Sequence, residues 1–297
     1  MSLGNRAALV EDTIVRLYHW NGSGRFIELA GPNQDADGVV LLEGVSGLMH
    51  APIELVEIKT ARLPGAIPVT YRIEKRLIDL ATLVQGHDSI SWQYWNQNIL
   101  QMLSPKHDSL LVVQTLPWGP RWIKVRRAAA PDDEVLEDPT WSKNQVWNWQ
   151  LVAYDPDWRS RDLVSKTFAP AGSSGAGELR AANRGDRPSW PKVSGKGGAP
   201  WRIRDGVGGE LNPLPAMAAG ETWVVDTHPM AWQLQSSTDS NKWEKLQRGF
   251  REQVKPRSIT SIGVDVAGAA AGASATLILE QRFEFPFGYG ELEMAVS

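Results

Sequence analysis

The chain has 297 residues, of which 42% are hydrophobic, 22% are charged and none is cysteine, and its formal net charge is −3. This composition is typical of a folded soluble protein, and the length suggests about two domains. The lack of cysteine excludes disulfides, thiolate metal sites and cysteine nucleophiles, and the balanced charge argues against nucleic-acid binding. No apolar run is long enough to span a membrane and residues 1–12 do not resemble a signal peptide, so we expect no membrane insertion and no standard export signal.

Apolar and polar residues alternate in several segments, which predicts half-buried β-strands. The clearest segment is 145–154, where Trp147, Trp149 and Leu151 share one face. In chain order the predicted strands are 13–18, 39–43, 53–60, 69–83 with a break near Lys75, 110–116, 121–127, 145–154, 222–227, 261–266 and 277–287.

One long segment has the spacing of a helix instead of a strand. Between residues 89 and 103 the apolar side chains recur every three or four positions, Asp88 or Ser89 is a suitable N-cap, and Pro105 follows the end. A second, short helix is possible at 241–250. The Gly- and Ala-rich stretch 263–275 is interpreted as a hairpin between the two closing strands.

The stretch 165–178 is rich in Gly, Ser and Ala and has few side chains that can pack in a core. We therefore predict a flexible linker there, between an N-terminal domain at 1–164 and a C-terminal domain at 179–297. The fold class is mainly β. The expected architecture is an N-terminal β domain with a single amphipathic helix, followed by a C-terminal antiparallel β-sandwich of galectin-like or jelly-roll type.

Sequence patterns of common catalytic and metal sites are missing. The chain has no P-loop, no zincin motif and no Gly-x-Ser-x-Gly elbow, and its five histidines are isolated. We therefore expect no metal, no cofactor and no enzymatic activity. The best candidate for a carboxylate pair is Asp155 with Asp157 beside Trp158, which would suit a glycosidase. A structural turn is preferred, because Asp and Pro after a strand are typical of turns.

Tryptophan is unusually abundant, with 14 residues spread along the chain. Indoles serve cores, subunit contacts and sugar platforms alike, and the first two roles are favoured for most of them. Trp190 and Trp201 flank a Gly-rich stretch and are the candidates for sugar contact.

The order of several short motifs resembles the distal tail proteins of siphophages, especially minor tail proteins of phages that infect actinobacteria. The motifs are Trp20-Asn21-Gly22, segment 38–48 followed by Ala51-Pro52, the arginine-bearing strand 72–83, the helix that ends at Leu103-Ser104-Pro105, segment 154–158, and segments 182–191, 220–227 and 275–287. The resemblance covers most of the chain and rests on order and spacing.

The resemblance implies an N-terminal domain that forms a ring, commonly of six subunits, at the end of the tail tube, with no catalytic residues. The implied location is the virion tail tip, assembled in the host cytoplasm. The implied partners are further copies of the chain (a hexamer), the tail tube protein, the tape-measure protein and downstream hub proteins. Two alternatives remain open: a carbohydrate-binding adhesin for host cell-wall glycan, and another hub or peripheral tail-tip protein.

A ring closes through contacts between neighbouring copies, and exposed sheet edges are natural templates for such contacts. The candidate interface residues are Trp92, Trp95, Trp147, Trp149, Arg72 and Arg76. Three further arginines of the N-terminal domain, Arg62, Arg121 and Arg126, are candidates for the interface or the ring lumen.

Overall fold

The structure, a computed structural model, describes residues 13–59, 64–115, 118–131 and 137–287. It is mainly antiparallel β-sheet, as the alternating patterns predict. The chain divides into two compact units: of the described residues, the first contains those up to Arg159 together with 284–287, and the second is Ser160–Phe283. No helix among these residues is long and apolar enough to cross a membrane.

The first unit is built on two antiparallel sheets that share one strand. One has the order β2-β1-β7-β8 and the other β3-β6-β9-β8. The bounds are β1 (Ile14–Tyr18), β2 (Phe26–Ala30), β3 (Val39–Leu41), β4 (Ile53–Ile58), β5 (Ile67–Ile73), β6 (Arg76–Gln85), α1 (Ser89–Met102), β7 (Ser109–Thr115), β8 (Gly119–Arg127), α2 (Pro139–Ser142) and β9 (Asn144–Ala153).

Helix α1 confirms the predicted helix almost to the residue. Asp88 accepts a 2.7 Å hydrogen bond from the Ser91 N–H, and Ser91 Oγ accepts one of 3.0 Å from the Asp88 N–H, which together form a capping box. Trp92, Ile99 and Met102 are buried, so the apolar stripe faces the sheet. The only other α-helical element in the described ranges is the short turn α2.

The predicted strand 69–83 is two strands in the structure, separated at residues 74 and 75. After this break β6 pairs along its full length with β9, whereas β5 pairs only with β4. The hairpin β4–β5 is therefore a two-stranded sheet of its own, joined to the rest of the unit at its base, where the Glu74 N–H donates to Pro52 O.

The second unit is a sandwich of two antiparallel sheets, as predicted. One sheet has the order β16-β15-β12-β18-β10 and the other β11-β17-β13-β14. The strands are β10 (Trp158–Val164, most of which belongs to this unit), β11 (Ser174–Asn183), β12 (Pro191–Lys196), β13 (Trp201–Arg204), β14 (Leu211–Pro213), β15 (Thr222–Asp226), β16 (Leu234–Ser236), β17 (Ser258–Ala267) and β18 (Ser274–Phe283). Trp201 and Trp223 lie in the core between the sheets, with ring centroids 5.3 Å apart.

The stretch predicted as a linker, 165–178, is half strand. Ser174–Glu178 form the first half of β11 and pair with β17. The small residues that suggested a linker make room for an aromatic ring, because a Cβ atom at Gly177 would lie 2.5 Å from the ring of Phe168. Phe168 in turn packs against the sandwich core, so a low content of large side chains here reflects close packing.

Three other predictions need correction. Residues 263–275 are not a hairpin: β17 and β18 belong to different sheets, and residues 268–273 connect one sheet to the other. In the segment 241–250 only Lys242–Lys245 is helical, as a single 3-10 turn. The last strand ends at Phe283 instead of 287, because the carbonyls of Glu284 and Phe285 bond to arginine side chains.

Candidate assembly surface

The hairpin β4–β5 presents an apolar face to solvent. Ile53 lies opposite Ile73 and Leu55 opposite Tyr71, and since side chains alternate along a strand, these four share one face. Ile53, Leu55 and Tyr71 are each more than half exposed. An isolated two-stranded hairpin is marginally stable in water, and contiguous exposed apolar side chains mark interaction sites. The apolar face of the hairpin is therefore a candidate surface for contact with a partner.

The other face of the hairpin is polar. Arg72, one of the candidate interface residues, lies directly opposite Glu54, and both are exposed. Opposite charges at facing positions stabilise a strand pair modestly. The hairpin is therefore amphipathic, with its apolar face uncovered in the single copy. Within the described residues both of its outer edges also lack a strand partner.

Arg76, the other candidate interface arginine, is fully buried within its own copy. Its guanidinium donates to four carbonyl oxygens: Pro156 at 2.8 Å, Gly47 at 3.0 Å, Leu48 at 2.8 Å and Glu284 at 2.8 Å. These carbonyls come from three separate segments of the first unit. Arg76 thus ties loops together at the base of the hairpin and is not available to a neighbouring copy.

The remaining arginines have different environments. Arg121 is also buried, and its Nη1 donates to Phe285 O at 2.8 Å. Arg126 is partly exposed, forms an ion pair with Asp108 and lies 5.8 Å from the centre of the Tyr154 ring. The hydrogen bond that Arg126 donates to Asp108 is the main cause that raises the pKa of Arg126. Arg62 lies outside the described residues.

The four candidate interface tryptophans pack α1 against the sheet. Trp92 and Trp149 are buried, and Trp149 Nε1 donates to Thr82 Oγ1 at 2.9 Å. Trp95 and Trp147 are half-buried, and Trp147 Nε1 donates to Asn96 Oδ1 of the helix at 2.8 Å. Trp92 and Trp149 are therefore core residues, while only the outer parts of Trp95 and Trp147 can be reached by another copy.

The remaining candidates from the sequence are the carboxylate pair and the two tryptophans proposed for sugar contact, and their environments differ. Asp155 accepts a hydrogen bond from Arg159 at 2.6 Å and one from the Asp157 N–H, so it closes the turn between β9 and β10, as the preferred interpretation of this segment predicts. Trp201 is fully buried in the sandwich core, which excludes it as a sugar platform. Trp190 is half-buried, with its ring 5.9 Å from that of His228.

The two most exposed indoles are not the two that sequence reasoning favoured for sugar contact. Trp141 in α2 is 85% exposed and Trp232 is 61% exposed. The ring of Trp232 packs at a tilt of 38° against that of Trp243, with ring centroids 4.4 Å apart, and Trp243 packs against the sandwich core. Neither position lies in an alternating segment, so no sequence signal distinguished them from core tryptophans. No cluster of three or more metal-ligating side chains occurs in the described part of the chain.

Comparison with known proteins agrees with the family resemblance seen in the sequence. No protein-family model matches the chain. Over 160 residues it is 27% identical to the minor tail protein Gp27 of Mycobacterium phage L5. The aligned region covers 52% of this chain and 46% of that protein, so the chain spans less than half the length of this relative.

Solved structures with the same fold come from phage tails. The Dit (gp 19.1) protein of phage SPP1 superimposes with a TM-score of 0.58 at 13% identity, covering 91% of this chain and 99% of that one. A chain of the phage P2 baseplate in its activated conformation with Ca gives a TM-score of 0.57 at 9% identity, covering 92% and 99%. At these identities the similarity shows a shared fold.

Proposed function

We propose that this protein is a structural component of a bacteriophage tail tip, where its first unit assembles with further copies into a distal-tail-type ring. The observation that carries the proposal is the hairpin β4–β5, which exposes an apolar face and whose two outer edges have no strand partner among the described residues. The role proposed is architectural and not catalytic.

The hairpin suits a ring because its two sides differ. Strand β4 forms one outer edge and β5 the other, so that one side of a hairpin can pair with the opposite side of the next. Such head-to-tail contacts produce closed rings when the rotation between neighbours divides a full turn. Burial of the exposed parts of Ile53, Leu55 and Tyr71, a little over half of each side chain, would stabilise each contact by about 1 to 2 kcal/mol per side chain.

The comparisons support a tail-tip role. The sequence relative is a minor tail protein, and the structures that share the fold are described as part of a hub adsorption apparatus and of a baseplate. By analogy, the proposed assembly is a hexameric ring in the virion tail tip, formed in the host cytoplasm, with the tail tube protein, the tape-measure protein and the hub proteins as neighbours.

Assembly of the purified chain tests this proposal. We expect native mass spectrometry and negative-stain images to show a closed ring, and a Leu55→Asp, Tyr71→Asp double variant to be monomeric with an unchanged melting temperature. Both side chains are exposed in the single copy, so the substitutions should not disturb its fold.

The matched control is Met230→Asp, which places the same charge at a more exposed apolar position in the second unit. It should leave the ring intact. A wild-type chain that stays monomeric at high concentration, or a double variant that still forms the ring, would contradict the proposal.

A second candidate function is glycan binding by the sandwich. The exposed indole of Trp232 is held in place by Trp243, as a sugar platform requires. If the second unit is an adhesin, the purified chain should bind host cell-wall polysaccharide and Trp232→Ala should abolish binding. Equal retention of wild type and variant on the polysaccharide would exclude this site.

A further inference from the structure

Two adjoining pockets lie beside the loop that follows α1 in the first unit. One has a volume of about 260 Å³ and the other of about 420 Å³, and Pro105 and Arg127 line both. The Arg127 N–H donates to Ser104 O at 3.2 Å, so the loop lies against the end of β8. Because the two pockets share these lining residues, they form the two halves of one groove.

The charged side chains of the groove are basic. Lys75, Arg126 and Arg127 line it, and none of the described lining residues is acidic. Lys75 and Arg127 form no ion pair with another residue that the structure describes. Arg126 bonds to Asp108 through Nε, and its terminal nitrogens have no hydrogen-bond partner in the described ranges. The groove therefore carries positive charge that is only partly neutralised within the described chain.

Each half of the groove has an aromatic ring in its lining. In the smaller half Tyr154 is 66% exposed, and Arg126 Cζ lies 5.8 Å from the centre of its ring. In the larger half Trp20 is 39% exposed and stacks on His107, with ring centroids 4.1 Å apart. Trp20 Nε1 donates to Gln101 O at 3.0 Å, which fixes the position of the indole. Both rings offer apolar surface to a ligand.

An anionic ligand that also has apolar groups fits this lining. Carboxylates and phosphates both pair with guanidinium and ammonium groups. The groove has three such cations, and the partly exposed side chains of Leu77 and Leu100 lie in the same lining. A nucleic-acid backbone is bound by a denser row of cations, whereas an acidic peptide supplies carboxylates and apolar side chains in one segment. The lining therefore favours a peptide.

We propose that this groove binds an extended acidic segment of a partner protein. Its carboxylates pair with Lys75, Arg126 and Arg127, and its apolar side chains pack on the rings of Tyr154 and Trp20. This gives a specific role to Arg126, which the sequence offered only as a residue of the interface or the lumen. The inference does not depend on the proposed ring, because all of these residues belong to one copy.

Peptide binding to the full-length chain tests the proposal. The probe is a fluorescein-labelled peptide of about ten residues, rich in glutamate and with leucine at every third position, and fluorescence anisotropy measures its dissociation constant. We expect a Lys75→Glu, Arg127→Glu variant to bind about ten-fold more weakly or worse than wild type, because two attractions become repulsions. The side chains replaced are at least partly exposed, so the melting temperature should not change.

The matched control is a Lys196→Glu, Lys255→Glu variant, which has the same net charge. Both lysines are exposed and belong to the second unit, so the affinity for the peptide should equal that of wild type. No binding by wild type, or an equal loss of affinity in the two variants, would overturn the proposal.

Two further measurements identify the site and the class of ligand. A peptide with a photoreactive benzophenone in place of its central leucine should cross-link to fragments that contain Trp20, Pro105 or Tyr154. A single-stranded oligonucleotide of about ten nucleotides should compete about ten-fold less well than unlabelled peptide. Cross-links only to other parts of the chain would overturn the proposal, and so would equal competition, which would assign the groove to nucleic acid.

Discussion

Arg72 and Arg76 are four residues apart and have opposite environments. Arg72 is exposed on the hairpin opposite Glu54, whereas Arg76 is buried and bonded to four carbonyl oxygens. A buried guanidinium is tolerated when its donors are satisfied, and its loss leaves carbonyl groups buried without partners. Arg76 therefore serves the fold of its own copy, whereas Arg72 stays a candidate for contact with another copy.

We expect Arg76→Met to lower the free energy of unfolding by about 4 kcal/mol, since it leaves the acceptors without a donor. Arg72→Met should change stability by less than about 0.5 kcal/mol, because its side chain is in solvent. Urea denaturation of both variants measures the difference. Equal stability of the two variants would show that the four hydrogen bonds contribute nothing net.

Glu221 in the sandwich is another buried charged residue, and its hydrogen bonds shift its own pKa strongly. Burial by itself would raise its pKa, but hydrogen bonds from Lys242, Ser236 and the Ala218 N–H outweigh burial and lower the pKa to about 2. A carboxyl with a depressed pKa stabilises the fold above its unfolded pKa, near 4.5, and this contribution is lost as the pH falls toward 2.

The unfolding free energy should therefore fall between pH 4.5 and 2 by roughly 2 to 3 kcal/mol from this group. Glu221→Gln should be less stable at neutral pH, because Lys242 is left buried without its counter-charge, and its stability should change less over the acid range. Asp239→Asn, at an exposed ion pair with Lys245, is the control and should have little effect. A wild-type acid profile that Glu221→Gln reproduces unchanged would contradict this assignment.

The burial of the tryptophans was predicted less well than the positions of the strands. Trp201 was expected on an exposed loop and is the centre of the sandwich, whereas Trp232 is exposed. Both follow Gly- or Pro-containing segments, and the residue type gives no preference between core and surface. Only the pairing of β13 with β17, a contact between residues far apart in sequence, decides the position of Trp201.

At the scale of elements, one glycine is required at the base of the hairpin. Gly47 has φ +77°, and a Cβ atom there would lie 1.9 Å from Leu77 O. Its carbonyl also accepts from Arg76. The loop before β4 can approach β6 this closely only without a side chain.

Gly47→Ala should accordingly lower the unfolding free energy by more than about 2 kcal/mol, through both the clash and the positive φ. Gly44→Ala is the matched control, since Gly44 has φ +95° with no atom within 4 Å of the added methyl. It should cost about 1 kcal/mol from backbone strain alone. Thermal denaturation separates the two, and a larger loss for Gly44→Ala would refute the close approach.

Elements with strong local signals were predicted well. Helix α1 has a cap, a periodic stripe and a following proline, and its bounds agree within one residue. The predicted break near Lys75 is found at residues 74 and 75, and it divides a segment of fifteen residues into two strands nearer the typical length of about 5 to 6 residues. Among the strands that were missed, β14 and β16 have three residues each and are too short to show a period.

The stretch 165–178 was predicted as a flexible linker, but its glycines have two possible physical explanations. Gly residues lower the content of packing side chains, which suggests flexibility, but they also permit close approach of a ring, as for Gly177 and Phe168. The hairpin β4–β5 was predicted as strands, yet the exposure of its apolar face followed only from the structure. Alternation shows that residues share a face and does not show whether another part of the chain covers it.

At the scale of the whole molecule, each unit has its own core, so each should unfold as a cooperative transition of its own. We expect calorimetry to resolve two transitions, with Arg76→Met lowering one and Glu221→Gln lowering the other. The variants lie in different units, which makes the assignment unambiguous. A single transition that both variants lower equally would show that the chain unfolds as one block.

In the proposed ring, the amphipathic hairpin also has a consequence for the order in which subunits assemble. A chain of copies joined through their hairpins leaves one adhesive side bare at each end until the last subunit closes the circle. Incomplete arcs are therefore reactive toward free subunits and toward each other, and only the closed circle is inert. Incomplete rings should therefore be scarce at equilibrium. A subunit in which one side of the hairpin is blocked should stop the addition of further subunits, even at low abundance.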